Sequence, residues 1–115
     1  SSIDETIVKQ VAEIAAGKEK VLVILDSNHT HNHVLSEMKW YAPFVTKDSY
    51  MLVFDTVVED LANEIYDNRP WGVGDNPKTA VWEFLKTNDD FVIETAMDDK
   101  LLISVAPSGF LKKVK

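Results

Sequence analysis

Two short apolar runs constrain this chain more than any other feature. Val21-Leu22-Val23-Ile24-Leu25 and Met51-Leu52-Val53-Phe54 are each too short for a helix, and each ends in an aspartate, Asp26 and Asp55. Apolar at every residue, they read as central strands of a parallel sheet covered on both faces. Between them, His31 to Val45 carries Val34, Met38, Tyr41 and Val45 on one helical stripe, with Leu35 alongside. Pro43 is placed to stop or bend that helix. A strand–helix–strand unit of this kind leads to an α/β domain.

The flanking segments extend the same alternation. Ile7, Val11, Ile14 and Ala15, with Ile3 and Val8 beside them, recur at helical spacing, and Gly17 is placed to end that helix in a left-handed conformation. After the second strand, read as Ser49–Thr56, the stretch Val57–Asp67 has room for a short helix, and Asn68 to Asp75 reads as loop. Asn76 followed by Pro77 is a strong helix start, an N-cap and then a first-turn proline. Ala80, Val81, Phe84 and Leu85 supply that helix's apolar face. Phe91–Thr95 and Leu101–Pro107 read as two further strands around Met97-Asp98-Asp99-Lys100. So short a connection permits only an antiparallel hairpin. The order is α-β-α-β-α-β-β over residues 1–115 as one domain, with no internal repeat, low-complexity tract or linker.

Charge and composition exclude several classes of function. The formal net charge is −7, and Lys and Arg are scattered apart from Lys112, Lys113 and Lys115 at the tail. Nucleic acid is therefore not expected as the main partner, since neutralising phosphates needs a basic stripe. No cysteine is present, which removes disulfides, thiolate nucleophiles and Cys-ligated metals and agrees with a cytoplasmic setting. No apolar run approaches the roughly 18–20 residues of a membrane span. The opening Ser1-Ser2-Ile3-Asp4 has neither a basic start nor an apolar stretch, so no signal peptide is expected. It also lacks a methionine, which points to a longer gene product.

The chemistry-bearing residues gather at one predicted edge. Asp26 and Asp55 lie at the carboxyl ends of buried strands, where open α/β sheets bind ligands. Two carboxylates there suit a hard, oxygen-preferring cation such as Mg²⁺, able to lower the pKa of a substrate hydroxyl and orient it. The plainer reading has each aspartate closing its turn, Asp26 with Ser27 and Asn28, Asp55 with Thr56. His29, His31 and His33 follow the first strand. His29 is the candidate general base, because imidazole titrates near neutrality, and it shares i,i+4 spacing with His33. A non-haem iron triad of two histidines and a carboxylate finds no second acidic residue at its usual spacing. Arg69 and Trp71 sit in the long loop and are candidates for a substrate-binding lid. Trp40 and Trp82 read as packing residues, and Glu59-Asp60 as acids opening a short helix.

Several blocks in order carry a family resemblance. Val23-Ile24-Leu25-Asp26-Ser27-Asn28-His29-Thr30-His31 with His33, Tyr41-Ala42-Pro43 and Arg69-Pro70-Trp71-Gly72 are three of them. Asp75-Asn76-Pro77-Lys78-Thr79-Ala80-Val81-Trp82-Glu83-Phe84-Leu85 and Leu101 to Pro107 with Gly109 and Leu111 complete the set. From about Val21 to Val114 the chain resembles the cephalosporin hydroxylase and rhamnosyl O-methyltransferase family. The resemblance implies the carboxy-terminal part of a Rossmann-like, three-layer methyltransferase sandwich, its parallel strands closed by an antiparallel hairpin. It implies S-adenosylmethionine as cofactor, bound mostly by an amino-terminal half with a glycine-rich turn that this chain lacks. Gly72-Val73-Gly74 is a weak mimic of such a turn. The resemblance further implies metal ligands after both strands. The family usually has an acidic residue where this chain has Phe54, which ligates nothing.

The function expected is methyl transfer to a hydroxyl of a small molecule or sugar, assisted by Mg²⁺. A different class of reading is a truncated, non-catalytic module or an oligomerisation partner, since a half-sheet leaves an edge strand open to another copy. A third is oxygen-dependent hydroxylation, for which the residues offer no redox group.

Overall fold

The two apolar runs become adjacent parallel strands, as their composition demands. A computed structural model describes residues 1–115 and forms β1 from Val23–Leu25 and β2 from Tyr50–Val53, paired Val23 to Met51 and Leu25 to Val53. They are preceded by α1, Glu5–Ala15, and joined by α2, His31–Tyr41. The Asp4 carboxylate opens α1 by accepting from the Thr6 amide at 2.8 Å, and Gly17 follows its end at φ 72°. Pro43 does what its ring dictates. The α-helix stops at Tyr41, and Ala42–Phe44 tightens into a 3-10 turn.

Helix α3, Pro77–Thr87, starts where the Asn-Pro pair places it, in a reciprocal cap between Asn76 and Thr79. Strand β3 is Phe91–Ile93, α4 is Thr95–Leu101 and β4 is Phe110–Lys113. The sheet order is β1-β2-β4-β3, with β4 antiparallel to both neighbours. The fold is thus mixed α/β around an open four-stranded sheet.

Three expectations need correcting. Leu101–Pro107 is not the last strand. Thr95–Leu101 is helical, and Leu102 and Ile103 stand 86% and 93% exposed. The strand lies further on, at Phe110 and Leu111, which are 8% and 0% exposed. A strand between two neighbours needs a buried apolar face, and only this later segment presents one to the core. The turn into it uses Ser108 at φ 61° and Gly109, where a Cβ would come within 2.2 Å of the Val53 carbonyl oxygen. The antiparallel relation to β3 holds, with Ile93 opposite Leu111, but the connection runs from Glu94 to Gly109 and carries α4 in place of the short Met97–Lys100 turn expected.

Secondly, the sheet is not covered on both faces. Side chains alternate along a strand, and while Leu25 is buried, Ile24 is 54% exposed; Val92 of β3 is 46% exposed. Thirdly, Val57–Asp67 forms two 3-10 helices, Thr56–Asp60 and Asn63–Tyr66, rather than one α-helix.

The covered face is the core. Val34, Met38 and Tyr41 of α2 and Ala80, Val81 and Phe84 of α3 pack with Leu25, Met51, Val53 and Leu111 in a single cluster. Each fully buried Val, Leu, Met or Phe contributes about 1.5–3 kcal/mol. This cluster therefore fixes where both strands end, and with them Asp26 and Asp55. No helix is long and apolar enough to cross a membrane.

Candidate active site

The parallel pairing of β1 and β2 brings their carboxyl ends side by side, and the residues just beyond them meet. Asp55 takes a left-handed backbone conformation, φ 56° and ψ 25°, as β2 turns into the first 3-10 helix. Aspartate tolerates that region better than most residues. His29 lies in the turn before α2, and its Nε2 is 2.9 Å from Asp55 Oδ2, with the two side chains 26% and 28% exposed. Asp26 completes the group: one ligating atom from each of Asp26, His29 and Asp55 lies within 4.8 Å of the others. Burial pushes the Asp55 carboxyl above its ordinary value, the His29 imidazole opposes that rise, and the nearby Asp26 carboxyl adds to it.

His33 does not share this site. Helix α2 begins only at His31, so helical spacing does not apply to His29. The His33 Nε2 lies 3.0 Å from Ser2 Oγ and 3.7 Å from Glu37 Oε1. His31 points elsewhere again, with Nδ1 2.8 Å from Thr79 Oγ1 at the start of α3. Asn28 closes the strand-to-helix turn, its Oδ1 accepting from the Thr30 amide at 2.9 Å and from its hydroxyl at 2.8 Å.

A cleft of about 560 Å³ opens beside the cluster. His29 and Asp55 form one wall, and Val57, Val58, Leu61, Ile65, Tyr66, Arg69 and Trp71 form the rest. The loop residues Arg69 and Trp71 thus face the same space as His29 and Asp55, whereas Asp26 lines a separate hollow with Ser27 and Glu37. Trp71 packs against His29 with ring centroids 4.8 Å apart, and the Arg69 guanidinium sits 5.5 Å from the Trp71 ring centroid.

Sequence patterning did not reveal what holds this loop. Glu59 Oε2 accepts from the Gly74 amide at 2.7 Å and from the Asn76 side chain, while Asp60 pairs with Lys78. Asp75 Oδ1 accepts from the His31 amide at 2.7 Å. Glu59 and Asp60 are therefore anchors that fasten the cleft's wall to α3. Gly72 and Asp75 exchange both backbone hydrogen bonds across a tight turn, so Gly72-Val73-Gly74 is structural. Ile65 and Tyr66 also line the cleft without any signal in the sequence beyond their place in a long loop.

Comparison with known proteins agrees with the blocks carried by this site. Residues 1–114 match the family described as rhamnosyl O-methyltransferase/CmcI. Among curated proteins, the rhamnosyl O-methyltransferases of Mycobacterium tuberculosis (strain ATCC 25618 / H37Rv) and Mycobacterium bovis (strain BCG / Pasteur 1173P2) are each 30% identical to it over 113 residues. The match takes in 96% of this chain and 44% of each relative, so the chain spans less than half their length. No solved structure matches. The chain belongs to the rhamnosyl O-methyltransferase/CmcI family.

Proposed function

We propose that this chain is the acceptor-binding and hydroxyl-activating part of a Rossmann-like, S-adenosylmethionine-dependent O-methyltransferase acting on a sugar or other small hydroxylated molecule. The observation that carries the reading is the convergence of Asp26, His29 and Asp55, two of which, His29 and Asp55, line a cleft with Trp71 and Arg69. The family membership and the names of the mycobacterial relatives support it.

The residues here do not fit the nucleoside of the cofactor. The one glycine-rich turn is closed on itself and on Glu59, so it offers no cradle for a pyrophosphate or ribose. The carboxylates of Asp26 and Asp55 do fit a divalent cation, for which one or two carboxylates plus solvent are a sufficient protein ligand set. Such an ion supplies Lewis acidity that lowers the pKa of a hydroxyl.

The cleft binds a ring by its faces. Trp71 and Tyr66 offer flat apolar surfaces, Val57, Val58 and Leu61 exclude water, and Arg69 offers donors to hydroxyl or carboxylate oxygens. A hydroxyl directed at His29 and Asp55 meets the one constellation able to take charge as its proton leaves. S-adenosylmethionine, when bound, would supply the methyl group, and the residues of this chain would hold the accepting oxygen and take up its proton. Holding the two partners in that geometry is the larger part of the rate gain available here.

The test is methyl transfer from labelled S-adenosylmethionine to rhamnosides and simple polyols, with this chain alone and with this chain joined to the amino-terminal part of a mycobacterial relative. Transfer that Asp26→Asn and Trp71→Ala each abolish is the expected result. If neither form transfers a methyl group or binds an acceptor, the reading fails, and a non-catalytic module takes its place.

A further inference from the structure

We propose that His29 is a metal ligand: with Asp26 and Asp55 its imidazole forms a one-histidine, two-carboxylate site. That donor set selects a first-row ion, Zn²⁺ ahead of Mn²⁺, over Mg²⁺. The proposal rests on the reading of this cluster as the hydroxyl-activating group, and it settles how His29 serves it, as a ligand rather than as a free base.

The spacing of the donor atoms suits a single ion. Donor atoms bound side by side to one first-row ion, each at about 2.1 Å, lie about 3 Å apart. His29 Nε2 and Asp55 Oδ2 are already 2.9 Å apart, and the Asp26 carboxylate lies within 4.8 Å of both. Asp26 is exposed, so its side chain is not locked by packing where it stands. No other group of three His, Cys, Asp or Glu side chains in the chain converges in this way.

The imidazole is also oriented. The Trp71 ring packs on it at 4.8 Å, and the left-handed turn at Asp55 aims that carboxylate at its Nε2. Phe54, beside Asp55, offers no donor atom. The third protein position therefore falls to nitrogen.

Donor chemistry then sets the preference. Mg²⁺ takes oxygen ligands and gives up water reluctantly, whereas imidazole suits Zn²⁺; Mn²⁺, itself an oxygen-preferring ion, lies between the two. Two carboxylates balance the charge of a divalent ion, and the partial exposure of His29 and Asp55 leaves coordination positions facing the cleft. A hydroxyl in the cleft would occupy one of them.

The experiment needs no turnover. The chain is stripped with a chelator and titrated calorimetrically with Mg²⁺, Mn²⁺ and Zn²⁺, and Mn²⁺ binding is read independently from the loss of the free-ion electron paramagnetic resonance signal. Oxygen-only sites also rank Zn²⁺ above Mg²⁺, so the decisive quantity is how His29→Ala changes the ratio. Losing one ligand should weaken Mn²⁺ and Zn²⁺ by about 10–100-fold, while Mg²⁺ changes by less than about 3-fold. In nitrogen-15 spectra, substoichiometric Mn²⁺ should broaden the His29 imidazole before those of His31 and His33. Circular dichroism of His29→Ala, with His29→Asn as a second variant, checks that the fold is kept. An unchanged Mn²⁺ to Mg²⁺ ratio in both variants, broadening of another histidine first, or no binding of any of the three ions would overturn the proposal. Methyl transfer failing while the ratio changes as stated would sink the proposed activity and leave the metal site standing.

Discussion

Gly109→Ala is expected to damage both the fold and the site. At this position the backbone passes so close to β2 that a Cβ would stand 2.2 Å from the Val53 carbonyl oxygen and 3.1 Å from that of Ala106. To reach even the closest approach that real Cβ atoms show, the chain must open by about 0.8 Å. The atom in the way is backbone, which cannot rotate aside. The Gly109 carbonyl also accepts from the Val53 amide at 2.8 Å, so the displacement stretches a hydrogen bond worth about 0.5–1.5 kcal/mol. With about 1–3 kcal/mol for the forced overlap, the total loss is about 2–4 kcal/mol. For a domain of this size that lowers the melting temperature by roughly 10–20 °C. Because Val53 stands two residues before Asp55, metal or acceptor binding should weaken in whatever fraction remains folded.

Thermal unfolding followed by circular dichroism measures the loss. Gly17→Ala is the control, since no atom lies within 4 Å of the place its Cβ would take, while its φ is 72°. It carries only the left-handed backbone penalty, about 1–2 kcal/mol. If Gly109→Ala melts within a few degrees of the parent, or no lower than Gly17→Ala, close approach is not why glycine stands there.

Four further outcomes are expected. Asn76→Ala removes an N-cap that accepts from the Lys78 and Thr79 amides and should cost about 1–2 kcal/mol in urea denaturation; a change below about 0.5 kcal/mol would contradict the cap's role. The raised Asp55 carboxyl means the native state holds that proton more tightly than the unfolded chain, so its stabilising effect is complete below the ordinary value near about pH 4 and is lost as pH rises through the raised one. The melting temperature of Asp55→Asn, relative to the parent, should accordingly rise with pH across that window, and a falling difference would reverse the assignment. The Tyr41 hydroxyl is held above its ordinary value by burial and then by the Glu37 carboxylate; Glu37→Gln should lower it while leaving it raised, read by ultraviolet titration, and an unmoved value would place the whole effect in burial. Trp71→Ala should weaken acceptor binding about 10-fold, the equivalent of about 1.4 kcal/mol, read by calorimetric titration with a rhamnoside; unchanged affinity would remove Trp71 from the acceptor's surroundings.

The elements legible in the sequence are those set by local chemistry. The unbroken apolar runs named β1 and β2, the Asn76-Pro77 pair started α3, and Pro43 stopped α2 one turn before the apolar stripe ran out. Each depends on residues within a few positions of one another. The aspartates at the strand ends were legible for the same reason, since a run of apolar residues broken by a carboxylate marks where a buried strand emerges. The last strand was not, because Leu101–Val105 and Phe110–Leu111 are equally apolar as strings. Only the space between β2 and β3, and the room that Gly109 leaves beside Val53, decide which is buried.

The site divides along the same line. Asp26, His29 and Asp55 could each be named from sequence, but their convergence could not. Their contact spans two strands and a turn, and Glu59 and Asp60 became anchors only because α3 lies beneath them. Side-chain identity and spacing along the chain determined which elements form and what chemistry each end carries. Which of those ends meet was decided by parallel pairing and by the packing of α2 on α3, because contacts between distant segments follow from burying one shared core.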